Sequence, residues 1–114
     1  MKKNNLLIQL AVIVMMFSWA GLVYAHAAIV WAYAENNMVH VEAFFANGTK
    51  IQNAQVTVVD EKGEAVLKGK TNTEGMFSYK PVSKNTQTVV VTAGEAHVGD
   101  FELTAEDLAD IVLE

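Results

Sequence analysis

Eighteen consecutive residues, 6–23, carry no charge, while all thirteen Asp and Glu residues lie beyond them. That asymmetry divides the chain before any question of folding arises. Lys2 and Lys3 are the only charges ahead of the apolar run. Met1-Lys2-Lys3-Asn4-Asn5 therefore reads as a basic n-region and residues 6–17 as an h-region. Val23-Tyr24-Ala25 offers the small residues that a signal peptidase requires. Cleavage after Ala25 would start the mature chain at His26. The rival reading is a retained anchor, since 18 residues sit at the lower limit for crossing about 30 Å of hydrocarbon. Ser18, Gly21 and the Val23-x-Ala25 pattern favour cleavage. Either way the folded part is expected outside the cytoplasm, periplasmic or secreted, with membrane association through residues 6–23 only if they are retained. The sequence has no Cys, so no lipidation site lies near the cleavage point.

The remaining 89 residues fit one domain. Without Cys there can be no disulfide, no Cys-ligated metal and no thiol nucleophile. Six Lys, no Arg and thirteen acids leave this part at a net charge of minus seven. That balance argues against nucleic acid or anionic lipid as a partner, because phosphate contacts need clustered positive charge.

The exported part reads as short β-favouring runs separated by turn residues. Expected strands cover residues 28–34, 38–46, 54–60, 65–69, 76–80, 87–93 and 97–103. Asn36-Asn37 and Asn47-Gly48 are turn signals, because Asn and Gly tolerate positive φ. In the second run Val39, Val41, Ala43 and Phe45 share one side, and His40, Glu42 and Phe44 the other. The expected fold is all-β: a single antiparallel β-sandwich of about seven strands over residues 26–103, prealbumin- or immunoglobulin-like. Thr104 followed by Glu106 and Asp107 resembles a helix start, and Leu108, Ile111 and Val112 recur at helical spacing. A short amphipathic helix is expected over residues 104–114, packed on the sandwich or on a partner.

Two segments carry a family resemblance. One is Phe45-Ala46-Asn47-Gly48-Thr49-Lys50-Ile51-Gln52-Asn53-Ala54-Gln55-Val56-Thr57-Val58. The other is Lys68-Gly69-Lys70-Thr71-Asn72-Thr73-Glu74-Gly75-Met76-Phe77-Ser78-Tyr79. Together they resemble the carboxypeptidase regulatory-like (transthyretin-like) β-sandwich over roughly residues 38–91. That resemblance speaks to fold and leaves function open. The order signal peptide, Ala-His at the cleavage point, sandwich and Gly94-Glu95-Ala96-His97 is also similar to small exported accessory proteins of bacterial nickel and cobalt uptake systems. This second resemblance implies nickel or cobalt as the cofactor or cargo. It implies the membrane subunits of an energy-coupling-factor uptake transporter as partners. The sequence departs from some metal-handling proteins in lacking a His-rich tract.

The residues themselves offer little to an enzyme. Asp60, Glu61 and Glu64 fall in one turn. No Ser has a nucleophile-elbow setting, and no two His residues stand at His-x-x-x-His spacing. Metal binding is the sharper expectation. A free His26 would present an α-amine and an imidazole that chelate one ion, and nitrogen donors of this kind suit nickel, copper, cobalt and zinc. Two nitrogens hold an ion weakly, so a further ligand is needed, and His97 or a carboxylate is the candidate. His40 is not. If Asn36-Asn37 forms a two-residue turn, Tyr33 faces His40, Trp31 faces Glu42 and Ile29 faces Phe44. Position 26 then lies seven residues along from His40, about 23 Å at 3.3 Å per residue. Trp31 and Tyr33 offer an aromatic ledge or ordinary cross-strand packing. Met38 and Met76 read as gap-fillers. The alternative to metal handling is a generic extracytoplasmic interaction module.

Overall fold

The computed structural model describes residues 28–113. The expected signal segment, the expected cleavage site and His26 lie outside the described residues. Seven strands follow in chain order: β1 (Ala28–Glu35), β2 (Met38–Phe45), β3 (Gln55–Val59), β4 (Ala65–Lys70), β5 (Met76–Tyr79), β6 (Gln87–Ala93) and β7 (Ala96–Leu103). They form two antiparallel sheets, one ordered β1-β2-β5 and the other β4-β3-β6-β7.

Alternation explains how the sheets face each other. Val39, Val41 and Ala43 of β2 point inward with Val30 and Ala32 of β1. Val56 and Val58 of β3 meet them with Val89 and Val91 of β6, all essentially without exposure. These residues, with Ile51, Ala54, Tyr79, Leu103, Leu108 and Ile111, make one apolar cluster. β-Branched Val dominates because it packs well on a pleated surface and has little χ1 freedom to lose. The arrangement is the sandwich that the spacing of the runs predicts.

The first hairpin closes through Asn36 and Asn37, both at positive φ (54° and 67°). Two left-handed central residues give the twist that matches paired strands. The register then follows: Tyr33↔His40, Trp31↔Glu42 and Ile29↔Phe44, as the two-residue turn requires. At the β4–β5 connection, Asn72 Oδ1 accepts from the N–H groups of Glu74 and Met76 at 2.9 and 3.0 Å. Gly75, at φ 74°, has no room for a side chain, because a Cβ would lie 2.5 Å from the Ala43 carbonyl oxygen.

The carboxyl-terminal helix is corrected to a run of turns over residues 105–110; no helix occurs among the described residues. The start is a capping box. Thr104 N–H donates to Asp107 Oδ2 (2.9 Å) and Asp107 N–H donates to Thr104 Oγ1 (3.2 Å). Beyond it, Leu108 N–H divides between the Thr104 and Ala105 carbonyls at 3.3 Å each. Ala109 and Ile111 bond three residues back. So short a segment cannot recover the cost of nucleating a helix, and its shape is set by what it buries. Leu108 and Ile111, three apart, are sealed into the core, whereas Val112 is exposed. Asn37 holds the end of the segment: its Nδ2 donates to the Val112 carbonyl at 2.9 Å and its Oδ1 accepts from Val112 N–H. Lys84 Nζ adds a bond to the Ala109 carbonyl at 2.6 Å.

Candidate functional site

β1 and β7 belong to different sheets yet close one side of the sandwich against each other. They come close at Gly99, where a Cβ would lie 2.8 Å from Val30 Cγ2 and 3.4 Å from the Ala28 carbonyl oxygen. Further along, the rings of Trp31 and Phe101 meet edge-on with centroids 5.3 Å apart. The two strands therefore advance side by side in the same direction. Val30 and the Ala28 carbonyl lie beside Gly99, and Trp31 lies beside Phe101. A glycine inside an alternating strand is the signal of such an approach, and Gly99 had no functional reading from sequence.

Of the two expected ligands, His26 lies outside the described residues. His97 is the second residue of β7 and pairs with Thr92 across the β6–β7 hairpin. The hairpin turns through Gly94, at φ 62°, and Glu95. Among the described residues no three His, Cys, Asp or Glu side chains gather in a way that could hold a metal ion.

His40 is committed elsewhere. Its Nδ1 lies 2.8 Å from Ser78 Oγ, and its Nε2 lies 3.1 Å from the Glu35 carbonyl oxygen. A carbonyl only accepts, so Nε2 carries a proton and donates. The Tyr33 ring packs on the imidazole at 5.4 Å. With both nitrogens engaged, this histidine fastens the outer face of the small sheet. Glu42, facing Trp31, completes that polar side.

The outer face of β1 carries the aromatic ledge. Ile29 and Trp31 are 45% and 51% exposed, which is high for such large apolar groups. Lys50 Nζ sits 5.8 Å from the centroid of the neighbouring Phe44 ring, a cation–π contact.

Two buried polar clusters serve the fold. Thr71 Oγ1 donates to the Ile51 carbonyl (2.7 Å) and accepts from Ala54 N–H (2.9 Å). It thereby pins the β2–β3 connection to the end of β4. Tyr79 donates its hydroxyl to Gln87 Oε1 at 2.7 Å, and Gln87 Nε2 in turn donates to the Ser83 and Asn85 carbonyls. Burial raises the Tyr79 hydroxyl well above its ordinary pKa of 10.0, because a phenolate would be poorly solvated there. Asp60 Oδ1 accepts from Lys62 and Glu64 N–H, so the acidic turn is a self-bonded turn.

No known family model, curated protein or solved structure matches the chain.

Proposed function

We propose that this protein is an exported, non-enzymatic accessory of divalent-metal uptake at the cell envelope. In this reading, cleavage after Ala25 frees the α-amine of His26. That amine, the His26 imidazole and His97 then bind nickel or cobalt for delivery to membrane subunits of an uptake transporter. The domain is read as a carboxypeptidase regulatory-like, prealbumin-type sandwich that serves as a rigid carrier.

One observation supports the pairing of these two histidines. Gly99 packs against Val30 and the Ala28 carbonyl; His97 precedes Gly99 by two residues, and His26 precedes Ala28 by two and Val30 by four. Because β1 and β7 advance in the same direction, positions 26 and 97 both fall toward the head of the two strands. A two-residue arm spans at most about 7 Å, short enough to keep a ligand near its strand. His40 makes no comparable case, since both its nitrogens are occupied.

The test is a nickel titration of the mature protein, repeated with one extra residue ahead of His26. Loss of affinity in the extended chain and in His97→Ala, with His40→Ala unchanged, is the expected pattern. Unchanged affinity in the extended chain would dismiss the amine chelate.

A second reading, an interaction module without metal, draws on the exposed Ile29 and Trp31 of β1. It requires that nickel fail to bind and that Trp31→Ala abolish partner capture without changing stability.

A further inference from the structure

We propose that Asn47 and Gly48 form a self-modification site, at which the Asn47 side chain converts to a carboxylate with loss of ammonia. The turn 46–49 is exposed at both residues. Asn47 is the only Asn in the sequence that is followed by Gly. That pairing puts no side chain on the residue that carries the next backbone nitrogen, and the space beside its Cα is open: a Cβ built on Gly48 would meet nothing within 4 Å. The turn also prepares the electrophile. Thr49 N–H donates to Asn47 Oδ1 at 2.9 Å. This bond draws electron density from Cγ and would stabilise the oxygen that becomes negative as a nucleophile adds, as an oxyanion-hole donor does. The nucleophile is the Gly48 nitrogen, whose N–H is held by the Phe45 carbonyl at 2.8 Å. A lone bond in an exposed turn exchanges readily with water and releases it.

The chemistry balances without a cofactor. A base takes the Gly48 N–H proton, the nitrogen adds to Asn47 Cγ, and the C–N bond to the side-chain amide breaks. Ammonia leaves with a proton from solvent, and a five-membered imide remains. Water then opens the imide at either carbonyl. One opening gives an ordinary aspartyl residue, and the other an isoaspartyl linkage in which the main chain runs through the β-carbon. No bond changes its redox state.

The other asparagines lack one part or another. Asn72 turns its Oδ1 to two N–H groups, but Thr73 shields the next nitrogen with a β-branched side chain. Asn37 has both side-chain polar atoms bound to Val112. Asn36, Asn53 and Asn85 are followed by Asn, Ala and Thr.

The consequence falls on β2. The turn is closed by Phe45 N–H to the Thr49 carbonyl (2.8 Å) and leads into the Phe44↔Lys50 bridge. An isoaspartyl linkage inserts one backbone atom between those bonds and should loosen both.

The test ages the intact folded chain at mildly alkaline pH and maps its peptides by mass spectrometry. The expected result is a gain of about one dalton, as Asn-to-Asp conversion of a labile Asn requires, appearing first on the Asn47 peptide. Asn47→Gln should abolish it and Gly48→Ala should slow it severalfold. Earlier conversion at Asn36, Asn37, Asn53, Asn72 or Asn85 would overturn the proposal. So would an Asn47 peptide that stays unchanged, or an undiminished rate in Gly48→Ala. Should Gly48→Ala fold poorly because of its φ of 91°, the Asn47→Gln comparison and the order among asparagines still decide.

Discussion

Replacing Gly99 by Ala tests the closure of β1 on β7 directly. The new Cβ would stand 2.8 Å from Val30 Cγ2, closer than carbon atoms approach, and 3.4 Å from the Ala28 carbonyl oxygen. Val30 cannot step aside easily, because its χ1 is restricted and its side chain is buried. The strands must therefore separate. Overpacking of this kind costs about 1–3 kcal/mol. Ala recovers roughly 0.5–1 kcal/mol over Gly through reduced freedom of the unfolded chain. The midpoints of these ranges leave a net loss of about 1 kcal/mol, and for a domain this size each kcal/mol lowers Tm by about 4–8 °C. Thermal unfolding by circular dichroism reads the loss. Val30→Ala should be destabilising alone yet partly rescue Gly99→Ala, with a coupling of about 1 kcal/mol in the double-mutant cycle. Additive effects, or a Gly99→Ala domain as stable as the wild type, would refute the reasoning. Under the metal reading, Gly99→Ala should also weaken nickel binding by the mature chain, a separate readout.

Three further outcomes are expected. Leu108→Ala opens a cavity under the carboxyl-terminal turns and should cost about 2–5 kcal/mol in urea unfolding; an effect below that range would mean the segment merely rests on the core. Thr71→Val strands the buried Ala54 N–H and should cost about 1–3 kcal/mol, while Thr71→Ser retains most stability; equal losses in the two would discount the hydrogen bonds. Tyr79 is held neutral in the folded state above its ordinary pKa of 10.0, so its contribution is complete below that pH and declines as pH rises past it. Tyr79→Phe should therefore lose less stability than wild type between neutral and strongly alkaline pH, measured by denaturant midpoint; parallel pH curves would contradict this.

Local signals carried much of the architecture. Asn36-Asn37 determined the β1–β2 register because only a two-residue left-handed turn suits paired Asn, and period-two alternation then oriented every residue on both strands. The tail departs from its expected helix for an equally local reason. Leu108 and Ile111 are three apart, a spacing that satisfies a helix and a pair of successive turns alike, and burial rather than propensity chose between them. The approach of β1 to β7 was not legible, since it joins residues about 70 positions apart in sequence and alternation says nothing of which strands close a sandwich. Gly69 marks the opposite closure, where a Cβ would strike the Phe77 ring at 2.3 Å. Glycines within strands were the available clue to both. The commitment of His40 depended on Ser78 of β5, whose pairing with β2 crosses two intervening strands.

The grip of Asn37 on Val112 also bears on the order of assembly. A chain made from its amino end exposes the first hairpin long before residues 108–112 emerge. Until then one end of the apolar interior stands open where Leu108 and Ile111 belong. The interior is complete only once Leu108 and Ile111 are in place, so a chain stalled or clipped before them would be left prone to misassembly.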